Sequence, residues 1–118
     1  MALTVYGIPN CDTVKKARTW LSSQALAFEF IDFKKQGLAR ATVVAWLEQL
    51  DWQTLVNRKG TTWRNLPDAR KAAIVDAASA LELMLEQPSV IKRPVLQGLA
   101  QPHVGFSEAQ YGKLFLRN

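Results

Sequence analysis

The chain has 118 residues with a hydrophobic fraction of 48%, which predicts a single domain (1–118) with a core of its own. Its net charge of +5 comes from scattered basic residues, which argues against a nucleic-acid interface. The one cysteine excludes an internal disulfide, and neither a signal peptide nor a membrane-spanning stretch is evident. We therefore expect a cytoplasmic protein.

The first 33 residues are predicted to form a βαβ unit. Leu3–Tyr6 is a short apolar segment typical of a buried strand, and 27–33 alternates well enough for a second strand. Between them, apolar residues recur at helical spacing from Thr13 to about Ser23. Such a unit places its two strands parallel, joined by a right-handed crossover.

A helical insertion is predicted at about 51–87, after a helix at Ala39–Leu50. In that first helix, Val43, Leu47 and Leu50 share a face, and Trp46 lies beside it. The insertion is predicted to hold a short helix near Thr54–Asn57 broken at Gly60, a helix from Pro67 through Ala77, and a helix opened by a capping box at Ser79–Glu82.

The last part of the chain predicts a hairpin and a closing helix. Residues 90–96 form a strand interrupted by Pro94, His103–Phe106 forms its antiparallel partner, and a capping box at Ser107–Gln110 opens a helix ending near Leu116. The order βαβ, helices, ββα predicts an α/β thioredoxin-like fold with a mixed sheet. In that topology we expect the Arg93–Pro94 bond to be cis and the proline to face Cys11.

Cys11 is the candidate catalytic residue, because it lies between the first predicted strand and the start of the first predicted helix. Unpaired N–H groups and the peptide dipoles at a helix N-terminus stabilise the thiolate, which is the reactive form of cysteine. Lys15 lies one helical turn further on. The alternative is a small, buried structural cysteine, and the polar neighbours Asn10 and Asp12 argue against it.

Val14 occupies the position of the second cysteine in Cys-x-x-Cys oxidoreductases. A mixed disulfide on Cys11 must therefore be resolved by an outside thiol, either glutathione or a protein thiol. One histidine and one cysteine, with no metal-ligand spacing among the aspartates, predict that no metal is bound.

Several motifs together resemble the ArsC family, which includes arsenate reductases, Spx regulators and YffB-type proteins. They are Asn10–Thr13, Leu55–Gly60, Ile91–Leu96 and Gly105–Glu108, and they extend over most of the chain. The Gly60–Arg64 segment is similar to the YffB type.

The resemblance implies that Cys11 is the nucleophile and that Arg58 and Arg93 bind an anion. The arsenate reductases carry a third arginine where this chain has Pro102–Phe106, so we expect a glutathione-dependent thiol reductase before an arsenate reductase. The alternative interpretation of Arg58 and Arg93 is that they are ordinary surface charges, solvated or paired with Glu and Asp. The predicted residues for substrate or glutathione binding are Asn10, Asp12, Thr13, Lys15, Arg58, Arg93 and Pro94.

The expected partners follow from the same resemblance. Glutathione is the expected co-substrate, with glutaredoxin or a protein thiol or disulfide as further partners, and we expect a monomer without nucleic-acid or membrane binding. The alternatives are an arsenate reductase that uses glutathione and glutaredoxin, and a non-catalytic, Spx-like regulatory binding protein.

Overall fold

The computed structural model describes residues 2–116. The strands are β1 (Leu3–Gly7), β2 (Phe28–Asp32), β3 (Val95–Gln97) and β4 (His103–Val104). The helices are α1 (Asp12–Ser23), α2 (Phe33–Gln36), α3 (Arg40–Gln49), α4 (Trp52–Leu55), α5 (Thr61–Arg64), α6 (Asp68–Ala72), α7 (Ala77–Glu86) and α8 (Glu108–Phe115), with a 3-10 turn at Pro88–Val90. No helix within residues 2–116 is both long enough and apolar enough to cross a bilayer.

Residues 2–32 and 93–116 form a first compact unit, called here the sheet unit. Its four strands lie in the order β2-β1-β3-β4. β1 runs parallel to β2 and antiparallel to β3, which in turn pairs antiparallel with β4. The mixed sheet, the βαβ start and the hairpin are thus confirmed, although the second strand ends at Asp32 and Phe33 begins α2 instead.

The core of the sheet unit joins β1, α1, β3 and α8. Alternate residues of β1 are buried, as expected for a strand with one face on the core. The buried cluster comprises Leu3, Val5, Ala17, Leu21, Leu96 and Tyr111. The helical spacing of Val14, Ala17 and Leu21 therefore identified the buried face of α1 correctly.

At the start of α8, only one of the two hydrogen bonds of the predicted capping box is formed. Ser107 Oγ accepts a hydrogen bond from the backbone N–H of Gln110 at 3.0 Å, which caps the helix. The Gln110 side chain donates to the carbonyl of Val104 at 3.3 Å instead of returning to Ser107. Phe106 packs edge-on against Tyr111 with ring centroids 4.7 Å apart, which joins the chain before α8 to its first turns.

Residues 33–92 form a second compact unit, called here the helical unit. Its centre is α3 against α7, where Val43 and Trp46 from α3 and Leu83 from α7 are fully or almost fully buried. The prediction for α3 was wrong in one respect: Trp46 lies at the centre of the buried face, while Leu47 is only half-buried. Val43 and Trp46 are three residues apart, so both project to the same side of the helix.

The predicted helix from Pro67 through Ala77 was also wrong, because the chain breaks into two helices there. The first, α6, ends at Ala72, and α7 begins at Ala77 with Asp76 as its N-cap. Asp76 Oδ1 accepts from the backbone N–H of Ser79 at 2.9 Å, and Ser79 Oγ accepts from the backbone N–H of Asp76 at 3.1 Å. The capping box is real but starts three residues earlier than predicted, with Ser79 as its third helical residue.

Two segments of the helical unit lie side by side before the chain returns to the sheet. Val56 and Ile91 form an antiparallel bridge. The backbone N–H of Lys92 donates to the carbonyl of Leu55 at 2.7 Å, and that of Asn57 donates to Val90 at 2.8 Å. The chain after this ladder reaches Gly60, which was predicted to break a helix and instead caps the start of α5.

Candidate functional site

Cys11 is the N-cap residue of α1, as the sequence predicted. Its backbone is extended (φ −98°, ψ 124°), and its carbonyl accepts a hydrogen bond from the backbone N–H of Lys15 at 2.9 Å. The side chain makes no capping hydrogen bond, and the residue is partly exposed. The residue is therefore not fully buried.

Gly7 and Val14 explain how α1 approaches the end of β1. Val14 is completely buried, and a Cβ atom at Gly7 would lie 2.8 Å from Val14 Cγ2. Glycine at position 7 thus lets the first turn of α1 pack directly on the strand. Val14 is thus a packing residue at the position that the second cysteine takes in a Cys-x-x-Cys motif.

Pro94 lies at the same end of the sheet as the loop that leads to Cys11. Val95, the first residue of β3, pairs with Tyr6 near the end of β1, so Pro94 lies beside the point where β1 leaves the sheet. The Arg93–Pro94 bond is cis, as predicted, and Pro94 is buried. The carbonyl of Pro94 accepts from the backbone N–H of Gly105 at 2.9 Å, which holds it against the β3–β4 hairpin.

The other predicted site residues of the sheet unit are close in sequence to Cys11 or to Pro94. Asn10 and Asp12 are exposed, Thr13 and Arg93 are half-buried, and Lys15 is exposed on α1. Lys15 lines a groove of about 620 Å³ along α1, together with Arg18, Thr19, Ser22, Ser23 and Phe28. The guanidinium of Arg18 lies 4.0 Å from the centroid of the Phe30 ring, in a cation–π contact on the sheet.

His103 is the first residue of β4. It pairs with Leu96 in the hairpin and is half-buried. Burial lowers the pKa of His103 from its ordinary value of 6.5, which favours the neutral imidazole. This part of the chain contributes packing, with Phe106 against Tyr111.

Arg58 belongs to the helical unit, where it is exposed. Its guanidinium carbon lies 5.9 Å from the centroid of the Trp52 ring. It lines a cleft of about 350 Å³ whose walls are formed by Gln53, Thr54, Val56, Asn57, Arg58, Lys59 and Lys92. Lys92, which the sequence prediction did not name as a site residue, also lines this cleft.

No candidate metal centre was found among the described residues. Residues 2–116 contain no group of three or more histidine, cysteine, aspartate or glutamate side chains arranged to hold an ion.

The helix that starts at Cys11 after β1, on a four-stranded mixed sheet with Pro94 at the same end, is the arrangement of a thioredoxin-like fold. Residues 6–114 match the model of the ArsC family, and the chain belongs to that family. The resemblance predicted from the sequence motifs is thereby confirmed.

Individual relatives extend over nearly the whole chain. An uncharacterised protein of Haemophilus influenzae is 39% identical over 96% of this chain and 98% of its own length. The solved structure of YffB is 48% identical, with a TM-score of 0.88 over 94% of this chain and 96% of that one. An arsenate reductase (ArsC) related protein from Brucella melitensis is also 48% identical, with a TM-score of 0.78 over 100% of this chain and 97% of that one.

Proteins described as global transcriptional regulators Spx are among the more distant relatives. One from Lactococcus lactis is 24% identical over 92% of this chain and 82% of its own length. The family thus contains relatives described as reductases and relatives described as regulators.

Proposed function

We propose that this protein is a glutathione-dependent thiol reductase that works in the cytoplasm with Cys11 as its single nucleophile. The observation that carries the proposal is the partly exposed Cys11 at the N-terminus of the 12-residue helix α1. A thiolate there faces the free N–H groups of the first helical turn. Val14, buried and apolar, leaves the reaction to be completed by an outside thiol.

The reaction has two thiol–disulfide exchange steps. The Cys11 thiolate attacks the glutathione sulfur of a mixed disulfide, forms a Cys11–glutathione disulfide and releases the substrate as a thiolate, which takes up a proton. A second glutathione thiolate then attacks the glutathione sulfur of that adduct. Cys11 leaves as a thiolate, and oxidised glutathione is the product.

The remaining predicted residues bind and orient the co-substrate in this proposal. Arg58 and Arg93 bind carboxylates of glutathione, for which guanidinium groups offer paired donors. Pro94 shapes the groove that receives the thiol partner. Asn10, Asp12, Thr13 and Lys15 line the approach to Cys11, and glutaredoxin or a protein thiol serves as an alternative resolving partner of the monomer.

The test is turnover of a glutathione mixed disulfide with reduced glutathione, comparing the native protein with Cys11→Ser. We expect activity and a Cys11–glutathione adduct in the mass spectrum of the native protein, and neither in the variant. A matched control is the double variant Cys11→Ser/Ser22→Cys, which moves the thiol to an exposed position near the end of α1. Equal activity in the native protein and Cys11→Ser, or in the native protein and the double variant, would refute the proposal.

Arsenate reduction is the second candidate, favoured by the 48% identity to the arsenate reductase-related protein of Brucella melitensis. It ranks below thiol reduction because His103 and its neighbours supply no third guanidinium for a tetrahedral dianion. Arsenate-dependent oxidation of glutathione in the presence of glutaredoxin distinguishes the two. Turnover of arsenate at a rate above that of the mixed disulfide would reverse the order.

A non-catalytic regulatory role is the third candidate, favoured by the relatives described as Spx. Such a protein would bind its partner through a surface that does not require the thiol. Equal recovery of one defined partner by the native protein and by Cys11→Ala, without thiol turnover, would favour this role.

A further inference from the structure

The edge of the sheet formed by β2 has the features of a site for strand addition. β2 is an outer strand of the four-stranded sheet, and within residues 2–116 its residues 28–31 pair with β1 alone. β2 has five residues, whereas β4 at the opposite edge has only two. An edge strand presents a row of unpaired N–H and C=O groups, which proteins commonly protect with lysine or proline. The sequence of β2 contains neither.

A groove of about 620 Å³ lies next to this edge, and we call it the α1 groove. Five residues of α1 and the first residue of β2 line it: Lys15, Arg18, Thr19, Ser22, Ser23 and Phe28. Phe28 and Phe30 both pack against the core cluster that includes Ala17 and Leu21 of α1, so these two rings lie on the face of β2 that is turned to α1. A strand added beside β2 would direct every second side chain to the same face, where the α1 groove lies.

Arg18 joins the α1 groove to the strand. Its guanidinium carbon lies 4.0 Å from the centroid of the Phe30 ring, and the residue is half-buried, whereas Lys15 is exposed. A cation–π contact holds the guanidinium in place without using a carboxylate. The forked donors of Arg18 therefore remain available to a carboxylate that enters the groove.

The two cations of the α1 groove have no carboxylate partner in the described part of the chain. Lys15 and Arg18 form no ion pair with residues 2–116, and no acidic side chain lines the groove. By contrast, Arg40 and Arg70 each hold a glutamate with both guanidinium nitrogens. The groove beside the open edge is thus complementary to negative charge.

We propose that β2 and the α1 groove together bind an extended acidic segment of a partner protein, which adds to the sheet as a fifth strand. The backbone of the segment pairs with the outer edge of β2 and supplies affinity that does not depend on its sequence. Carboxylates on the side turned to α1 bind Arg18 and Lys15 and supply the specificity. The inference goes beyond thiol reduction, because docking of the segment needs neither a reactive thiol nor glutathione. Lys15 is the one residue that the two proposals share.

The probe is a capped peptide of about seven residues that alternates between glutamate and valine, so that all its carboxylates lie on one side of a strand. Calorimetric titration of the full chain measures its affinity. We expect the peptide to bind, and to bind at least about tenfold more weakly when glutamine replaces every glutamate. In the bound state, backbone amides of β2 should exchange with solvent more slowly, because the added strand covers the edge.

Strand addition is distinguished from binding by charge alone with two N-methylated forms of the peptide. One form is methylated at every glutamate nitrogen and the other at every valine nitrogen. The N–H groups of a strand alternate between its two edges, so only one of the two sets points at β2. We expect one form to bind like the parent peptide and the other at least about tenfold more weakly. Equal affinities of the two forms would overturn the proposal.

Variants of the two cations test the α1 groove. Arg18→Gln and Lys15→Gln should each weaken peptide binding by about three- to tenfold. Lys16→Gln is the matched control, since Lys16 is an exposed lysine of the same helix that does not line the groove. Urea midpoints show whether each variant is folded, and Lys15→Gln keeps the test decisive if loss of the contact with Phe30 unfolds Arg18→Gln.

Three results would overturn the proposal. They are absence of peptide binding by the native protein, equal affinities of the Lys15→Gln and Lys16→Gln proteins, and tighter binding of an oligothymidine than of the acidic peptide. The titrations use neither glutathione nor a disulfide. Failure of the proposed thiol chemistry is therefore detected separately, by the Cys11→Ser assay.

Discussion

At the scale of single residues, Cys11 and Val14 together determine what the thiol can do. Cys11 is a helix N-cap and partly exposed, whereas Val14 is completely buried three residues later. A thiol at the first position is in place to attack a disulfide. The valine at the second position cannot resolve a mixed disulfide, so the proposed reaction uses an outside thiol.

The variant Val14→Cys should supply a second thiol within the chain that can resolve a mixed disulfide on Cys11. The Cys-x-x-Cys spacing at a helix start is the one used by dithiol oxidoreductases, and the smaller side chain fits a site where Val14 now packs on Gly7. On incubation with oxidised glutathione, we expect the Cys11–glutathione adduct to be replaced by a disulfide between Cys11 and the introduced cysteine. Intact-mass measurement detects the difference. A stable glutathione adduct on the variant, equal in yield to that of the native protein, would contradict this prediction.

Tyr111 is the second informative residue, because its hydroxyl is buried and has no hydrogen-bond partner among residues 2–116. Its ring packs edge-on against Phe106 and Trp20, with centroids 4.7 and 5.7 Å away. Burial raises the pKa of Tyr111, so the phenol stays neutral. The ring contributes to the core, whereas the oxygen loses its hydration.

Tyr111→Phe should therefore leave the free energy of unfolding unchanged or raise it by up to about 1 kcal/mol, since it removes an unsatisfied polar group and keeps the ring. Tyr111→Ala should lower it by about 3–5 kcal/mol, because a cavity remains in the core. Urea denaturation measures both. A clear loss of stability in Tyr111→Phe would show that the hydroxyl has a partner, such as an ordered water.

At the scale of elements, α7 owes its start to the carboxylate of Asp76. The backbone N–H and the side chain of Ser79 both hydrogen-bond this carboxylate, which lowers the pKa of Asp76 from its ordinary value of 3.8. A carboxyl whose pKa is lowered by folding contributes stability above its unfolded value and loses it as the pH falls through the folded value. The contribution of this carboxylate should therefore be complete above about pH 3.8, and it should decrease as the pH falls from there through the lower pKa of the folded state.

Asp76→Asn tests this, because asparagine keeps a capping oxygen but does not ionise. We expect the native protein to lose more stability than the variant as the pH falls from about 5 to about 2. Urea midpoints measured along that range give the comparison. Asp68→Asn is the control, since Asp68 is exposed and lies 4.0 Å from Lys71 without capping a helix. Parallel pH profiles for the native protein and Asp76→Asn would refute the role of the carboxylate.

At the scale of the whole molecule, short-range patterns predicted the sheet unit well and the helical unit less well. The positions of Cys11 and Pro94 follow from the strand-to-helix junction and from a proline inside a strand, which are local signals. Trp46 was misplaced because apolar residues surround much of α3, so spacing alone does not choose the buried face. Spacing along the chain also does not show that Lys92 lines the same cleft as Arg58, because the ladder between 55–57 and 90–92 joins residues distant in the chain.

The order of the two units along the chain also predicts how the protein unfolds. The sheet unit is made of residues 2–32 and 93–116, which are joined only through the helical unit of about 60 residues. If the helical unit unfolded alone, the sheet would have to close a flexible loop of that length, at a cost of about 4 kcal/mol. We therefore propose that the 118 residues behave as one domain and lose both units in a single transition.

The prediction is tested by following the tryptophans of the two units separately. The variant Trp46→Phe/Trp52→Phe/Trp63→Phe keeps only Trp20 of the sheet unit, and Trp20→Phe keeps only the three tryptophans of the helical unit. Each protein, read by fluorescence against circular dichroism, should give coincident urea transitions. Because Trp46 is 1% exposed, its replacement should lower the midpoint of the whole transition instead of creating a second one. A transition of the helical unit at lower urea, with the signal of Trp20 unchanged, would show that the two units unfold independently.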